Sequence, residues 1–250
     1  MPAAPVTAPV TAADLDPALP EGLRAEAAAW ATATDAPTPA DPARPGGVFR
    51  PDPAWLAAEA AFRAARPGLG GRADEKRLVL AFGDFRPGDL THRRLCWLCV
   101  NACRTVRHCW DGIAENPDAR DRLAGLSAHL RGEDRDDGGR FDLDGATVPA
   151  VPLRGGRPIV DCDVGRAGSV ADAVAAAAKF VLTADPGDAA GCLGDVWLAV
   201  DEGCWWHDPK NPDSAPEEWA AWFVRHALPA AWRREELPPC DPGVPVGAVI

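Results

Sequence analysis

The 250-residue chain has no tyrosine and a single methionine, and it has no excess of positive charge. Lysine and arginine total 26 against 37 aspartates and glutamates, a formal net charge of −11. A nucleic-acid-binding protein needs a basic face to displace phosphate counterions, so this balance excludes nucleic acid as the expected partner. The same deficit argues against docking on anionic lipid. No apolar run approaches the roughly 20 residues needed to cross a bilayer. The opening stretch, MPAAPVTAPVTAADLDP, has neither a basic region nor a continuous apolar run, so it does not read as a secretory signal. A cytoplasmic location is the resulting expectation. There the eight cysteines are expected to be reduced, and their even number does not imply a disulfide framework. No Gly-rich phosphate loop follows a strand. The Asp-rich segment 134–144 fails as a calcium loop, because counting from Asp134 puts Gly145 where a bidentate Glu is required.

What is present describes a globular protein: 47% hydrophobic and 25% charged residues, in a length that makes one large domain or two small ones. Residues 1–19 are rich in Ala, Pro and Thr and read as a disordered or loosely attached segment. Residues 20–250 read as one mainly helical domain with a possible sub-boundary at 131–168. Helices are expected over 20–34, 53–66, 74–83 and 89–113, then from Pro117 to about 130. Further helices follow over 169–182 with Ser169 as cap, 187–203, and 215–227 behind a Ser214/Glu217 capping box. The segment 147–163 is the one stretch with β character, two short runs around a Gly-Gly turn, limited by its prolines to an edge ribbon. The expected fold class is therefore mainly α, an irregular helical bundle with a small β-ribbon.

Chemistry concentrates in a stripe of sulfur and imidazole on the long helix. His92, Cys96, Cys99 and Cys103 fall within about 60° of one another on a helical face. His108 and Cys109 follow, but adjacent helix residues point about 100° apart and do not make a catalytic dyad by themselves. His92 and Cys103 lie roughly 16 Å apart along the helix axis, so the whole stripe cannot close on one ion. Two neighbours can. A tetrahedral zinc site would take Cys99 and Cys103 at (i, i+4) with Cys204 and His207 from a second helix end. Ordinary packing is the competing reading, since cysteine fills small gaps between helices. A hydrolase would need one of these cysteines beside a spatially close histidine such as His207 or His226. Asp161 and Asp163 alternate in the expected ribbon and would share a face, as a magnesium-binding pair or as a solvated edge.

Ten tryptophans supply large apolar surface that seeks burial or a partner. Trp219 and Trp222 share one side of the helix opened by Ser214. Trp222 is expected in the core, and Trp219 stands between core and interface.

Three segments carry a family resemblance. They are the Leu/Cys-rich run RLCWLCVNACRTVRHCWDG continued by a charged helix (94–133), the Ala-rich SVADAVAAAAKFVLT (169–183), and VFRPDPAWLAAEA (48–60). Together they resemble an expanded family of uncharacterised Cys/Ala-rich helical bacterial proteins over about a third of the chain. The resemblance implies a helical fold and no activity, cofactor or catalytic residue. The expected function is a non-catalytic protein-interaction or scaffold role with an unknown protein partner and no cofactor. A zinc-stabilised protein or a small hydrolase using the Cys/His set is the alternative.

Overall fold

The computed structural model describes residues 9–32, 72–113, 118–132, 161–200 and 215–237. Over these the protein is mainly helical, and no strand occurs among the described residues. A 3₁₀ turn at Ala12–Asp14 leads to α1 (Glu21–Thr32), α2 (Arg72–Leu80), α3 (Leu90–Ile113), α4 (Asp118–Arg131), α5 (Asp161–Thr183) and α6 (Pro186–Ala199). Helix α7 (Ala215–Trp222) then runs through a π-helical turn at Phe223–Ala227 into α8 (Leu228–Arg233).

Helix α3 forms as one unbroken rod because Leu95, Leu98, Cys99, Ala102, Cys103 and Val106 recur at three-four spacing, and all six are buried. Around it pack α5, α4, α8 and α6. Helices α5 and α6 form the most extensive pair, an antiparallel hairpin closed by a two-residue link. The link is specified locally. Ala184 takes a left-handed conformation (φ 53°), Asp185 accepts a hydrogen bond from the Gly187 N–H at 2.7 Å, and Pro186 opens α6. Asp188 then ties the two helices together, accepting from Lys179 Nζ at 2.7 Å and Thr183 Oγ1 at 2.8 Å.

Three expectations are corrected. Residues 161–163 do not belong to a ribbon; they open α5, while 147–160 lie outside the described residues. The apolar run there is short enough to serve either period, and the Ala-rich continuation through 181 decides for helix. Ser169 accordingly lies about two turns inside α5 and caps nothing. The N-terminal segment is also packed over its described part, 9–19: Val10, Leu15 and Leu19 are buried in the common core. Thr11 and Asp14 make a reciprocal capping box, and Asp16 pairs with Arg233 at 2.9 Å. Ala/Pro/Thr bias hides these three large apolar anchors when the segment is averaged. The expected helix over 53–66 lies outside the described residues.

The C-terminal rod shows how a proline is accommodated. Pro229 has no N–H and its ring crowds the carbonyl four residues back. The preceding π turn, in which the Leu228 N–H reaches Phe223 O, widens the helix just before it. Arg234, left-handed at φ 63°, ends the rod. Its N–H and that of Glu235 return to Ala231 and Ala230 carbonyls in a Schellman arrangement.

Candidate functional site

The stripe exists as expected on α3, and it faces inward. His92, Cys96, Cys99 and Cys103 are all buried, and none of the four cysteines whose side chains are described is in a disulfide. His92 sits in the first turn, where Asp89 accepts its backbone N–H at 2.7 Å and that of Arg86 at 2.7 Å. Those two bonds, His92 first, hold the Asp89 carboxyl below its ordinary range. The imidazole is then fully used. Nδ1 accepts from the Gly88 N–H at 2.9 Å, which places the proton on Nε2, and Nε2 donates to the Phe180 carbonyl at 3.1 Å. The ring also meets Phe180 edge-on, with centroids 5.0 Å apart. His92 thus joins the start of α3 to the end of α5.

Cys96 Sγ lies 3.5 Å from His92 Nε2. That nitrogen carries a proton already committed to Phe180, so it offers no lone pair to take one from the thiol. Burial, and next the nearby Cys99, pushes the Cys96 thiol far above its ordinary value. The pair has the spacing of a nucleophile and base without the chemistry.

Cys103 meets a cysteine that the sequence reading did not single out. Cys192 of α6 places its Sγ 3.6 Å from Cys103 Sγ and 3.8 Å from the Cys99 carbonyl. Hydrogen bonding with the Cys103 and Cys99 thiols, and then burial, pushes the Cys192 thiol well up. The signal for Cys192 was its place in the continuous apolar run AAGCLGDVWLAV, whose only long polar residue is Asp195. Among the described residues no three of His, Cys, Asp and Glu gather in a way that fits a metal ion. Cys204 and His207, the other half of the expected zinc set with Cys99 and Cys103, lie outside the described residues. So does the Asp-rich segment 134–144. The side chains of His108, Cys109, Asp161 and Asp163 are likewise not described.

The second buried feature is aromatic. Trp30 of α1, Trp197 of α6, Trp219 of α7 and Phe223 of the π turn form one cluster, with neighbouring centroids 5.0–6.2 Å apart. Trp219 is fully buried and its Nε1 donates to Thr105 Oγ1 at 3.0 Å. Trp222 is only half-buried, beside the His226 ring at 5.7 Å. The expected order of the two tryptophans is therefore reversed. The inward side of α7 is set by the aromatic cluster and by Thr105, neither of which helical spacing alone can locate.

The third feature, also missed, is a polar track on α3. Asn101 is wholly buried, and Arg94, Asn101 and Arg104 follow one another along one flank. The Asn101 side chain donates to the Glu235 carbonyl and accepts from the Leu237 N–H, both at 3.0 Å. Arg104 and Arg131 both pair with the Glu236 carboxylate. Arg94 lies 3.6 Å above the Trp232 ring and donates to the Trp232 carbonyl at 2.9 Å. A lone Asn amid apolar neighbours in LCVNACRTV was the sequence signal.

No family model matches the chain, and no curated protein or solved structure is detectably similar to it.

No described helix is long and apolar enough to cross a membrane. Large apolar side chains do reach the surface at the helix ends: Leu80 of α2, Leu90 of α3, Leu182 of α5 and Leu198 of α6, each 42–51% exposed.

Proposed function

We propose that the chain is a cytoplasmic, non-catalytic protein-interaction or scaffold protein. The observation that carries this reading is the use of the sulfur–imidazole stripe inside the core. Catalysis by these groups needs a nucleophile or base that reaches substrate with a suitable proton affinity. Here the imidazole is spent on two backbone groups, all the described thiols are buried, and the ionised forms of Cys96 and Cys192 are disfavoured. The resemblance to helical bacterial proteins without a carried-over activity points the same way. The test uses the full chain in its own cells, with a photo-reactive residue placed singly at Leu80, Leu182 and Leu198. A discrete cross-linked protein from one position, competed away by the unmodified chain but not by a chain carrying Asp at that leucine, supports the reading. Turnover of an ester or amide by the purified chain, abolished by a single Cys→Ser change, overturns it in favour of the hydrolase alternative.

Zinc held by Cys99, Cys103, Cys204 and His207 is the second reading. What favours it is that two of its four ligands, Cys99 and Cys103, lie one turn apart on the same buried face of α3. Metal analysis of the purified chain decides. Stoichiometric zinc that disappears in Cys103→Ser establishes this reading, and zinc-free folded protein removes it.

A further inference from the structure

The polar track on α3 holds residues 235–237 of the chain itself. Asn101 is the central observation. A buried amide is costly unless both its donor and its acceptor are met. Asn101 meets them with one peptide stretch, donating to the carbonyl of residue 235 and accepting from the N–H of residue 237. Those two groups flank residue 236, so one amide meets two backbone groups of a single stretch, as a neighbouring strand would. Such pairing reads backbone, not side chain, and accepts any non-proline sequence at 237.

Side-chain selection comes from the flanks. The carboxylate at 236 is shared by Arg104 and Arg131, from two different helices. Paired guanidinium groups recognise a carboxylate by directed charge-assisted bonds. The residue at 237 packs against the edge of the core. Upstream, Arg94 covers an aromatic ring at 232. The recognised pattern is an acid followed by a large apolar residue, entered from a helix end whose last turn carries an aromatic ring four residues before the acid. This cationic site belongs to a chain of net charge −11, so its charge is a local specialisation.

We propose that this track is a peptide-recognition site for an extended acidic segment of a partner protein, and that the chain's own residues 235–237 are its resident occupant. The inference rests on the interaction reading and names the ligand class that reading leaves open. The resident segment leaves α8 directly after the left-handed Arg234, so it reaches the track without any change in the helices. A partner segment of the same pattern competes with it for Asn101, Arg104 and Arg131.

The probe is a fluorescein-labelled peptide of residues 232–239, WRREELPP, followed by anisotropy with the full-length chain. Glu236→Arg in the chain sets a third cation against Arg104 and Arg131 and ejects the resident segment. The peptide is expected to bind this variant about tenfold or more tighter than the parent, whose track is occupied. A peptide carrying Glu236→Gln should lose about tenfold. Arg131→Glu added to the chain should reverse the preference toward a peptide carrying Glu236→Lys. Circular dichroism establishes that each variant is helical, and Glu236→Gln in the chain replaces Glu236→Arg if the latter is not. Failure of the peptide to bind either helical variant overturns the proposal, as does binding insensitive to the acid at 236. Those results leave the cross-linking test at the exposed leucines untouched, so this site and the broader interaction reading fail separately.

Discussion

At the scale of single residues, the cysteine and histidine stripe shows how a chemically suggestive pattern becomes structure. Its spacing made it legible as one face of one helix. Whether that face meets solvent depends on α5 and α6, which lie far away in sequence. His92 is the clearest case, since its partners are the Gly88 N–H and the Phe180 carbonyl. His92→Leu keeps the volume roughly but leaves both backbone groups without the imidazole. The expected cost is about 1–3 kcal/mol in a urea unfolding curve; an unchanged midpoint would deny the ring its structural role. Trp219 and Trp222 separate in the same way. Trp219→Ala removes a fully buried indole and should cost about 3–5 kcal/mol. Trp222→Ala, half-buried at the edge, should cost distinctly less. Equal losses from the two would contradict the assignment of the inward face of α7.

At the scale of elements, helices with long apolar periods were readable, and the one clear failure was a helix start. Helix α3 was legible over its whole length because its three-four pattern is unbroken. The beginning of α5 was not, because Ser169 read as a helix cap and 147–163 as a ribbon, whereas the helix already runs from Asp161. Glycine inside helices offers a direct test. Gly194 is buried within α6, and a Cβ built there meets nothing within 4 Å. Gly194→Ala should therefore raise stability by about 0.5–1 kcal/mol through helix propensity, and a lower thermal midpoint would mean that α6 is packed more tightly than this. The π turn carries a pH signature. Burial, and secondarily Arg225, hold the His226 imidazole below its ordinary value of 6.5. The folded chain thus favours neutral His226, and the unfolded chain takes up the proton first as pH falls. The contribution is complete above pH 6.5 and is lost as pH falls through the lower folded value. In the His226→Phe variant the slope of stability against pH in that window should flatten; a slope identical to the parent's would show that His226 is not responsible.

At the scale of the whole molecule, the ends of the described chain are tied to its middle. Val10, Leu15 and Leu19 enter the same core as α3, the Trp30 ring meets Trp197 and Trp219, and Asn101 holds residues 235 and 237. None of these long-range ties is a spacing, so none was legible beforehand; the helical class was, because it is the sum of local periods. They imply that the four thiols buried among the described residues share one protecting unit. Cys96, Cys99 and Cys103 lie on α3 and Cys192 on α6, with sulfur meeting sulfur between the two helices. Opening either helix alone would break that contact and the Cys192 bond to the Cys99 carbonyl together. Alkylation at these sites should then require global unfolding. With iodoacetamide in increasing urea, mass spectrometry of the peptides holding Cys96–Cys103 and Cys192 should give opening free energies that fall with one common slope. That slope should match the one from circular dichroism. A shallow, urea-independent rate at Cys192 alone would show that α6 opens by itself, and would break the picture of a single core joining the five described stretches.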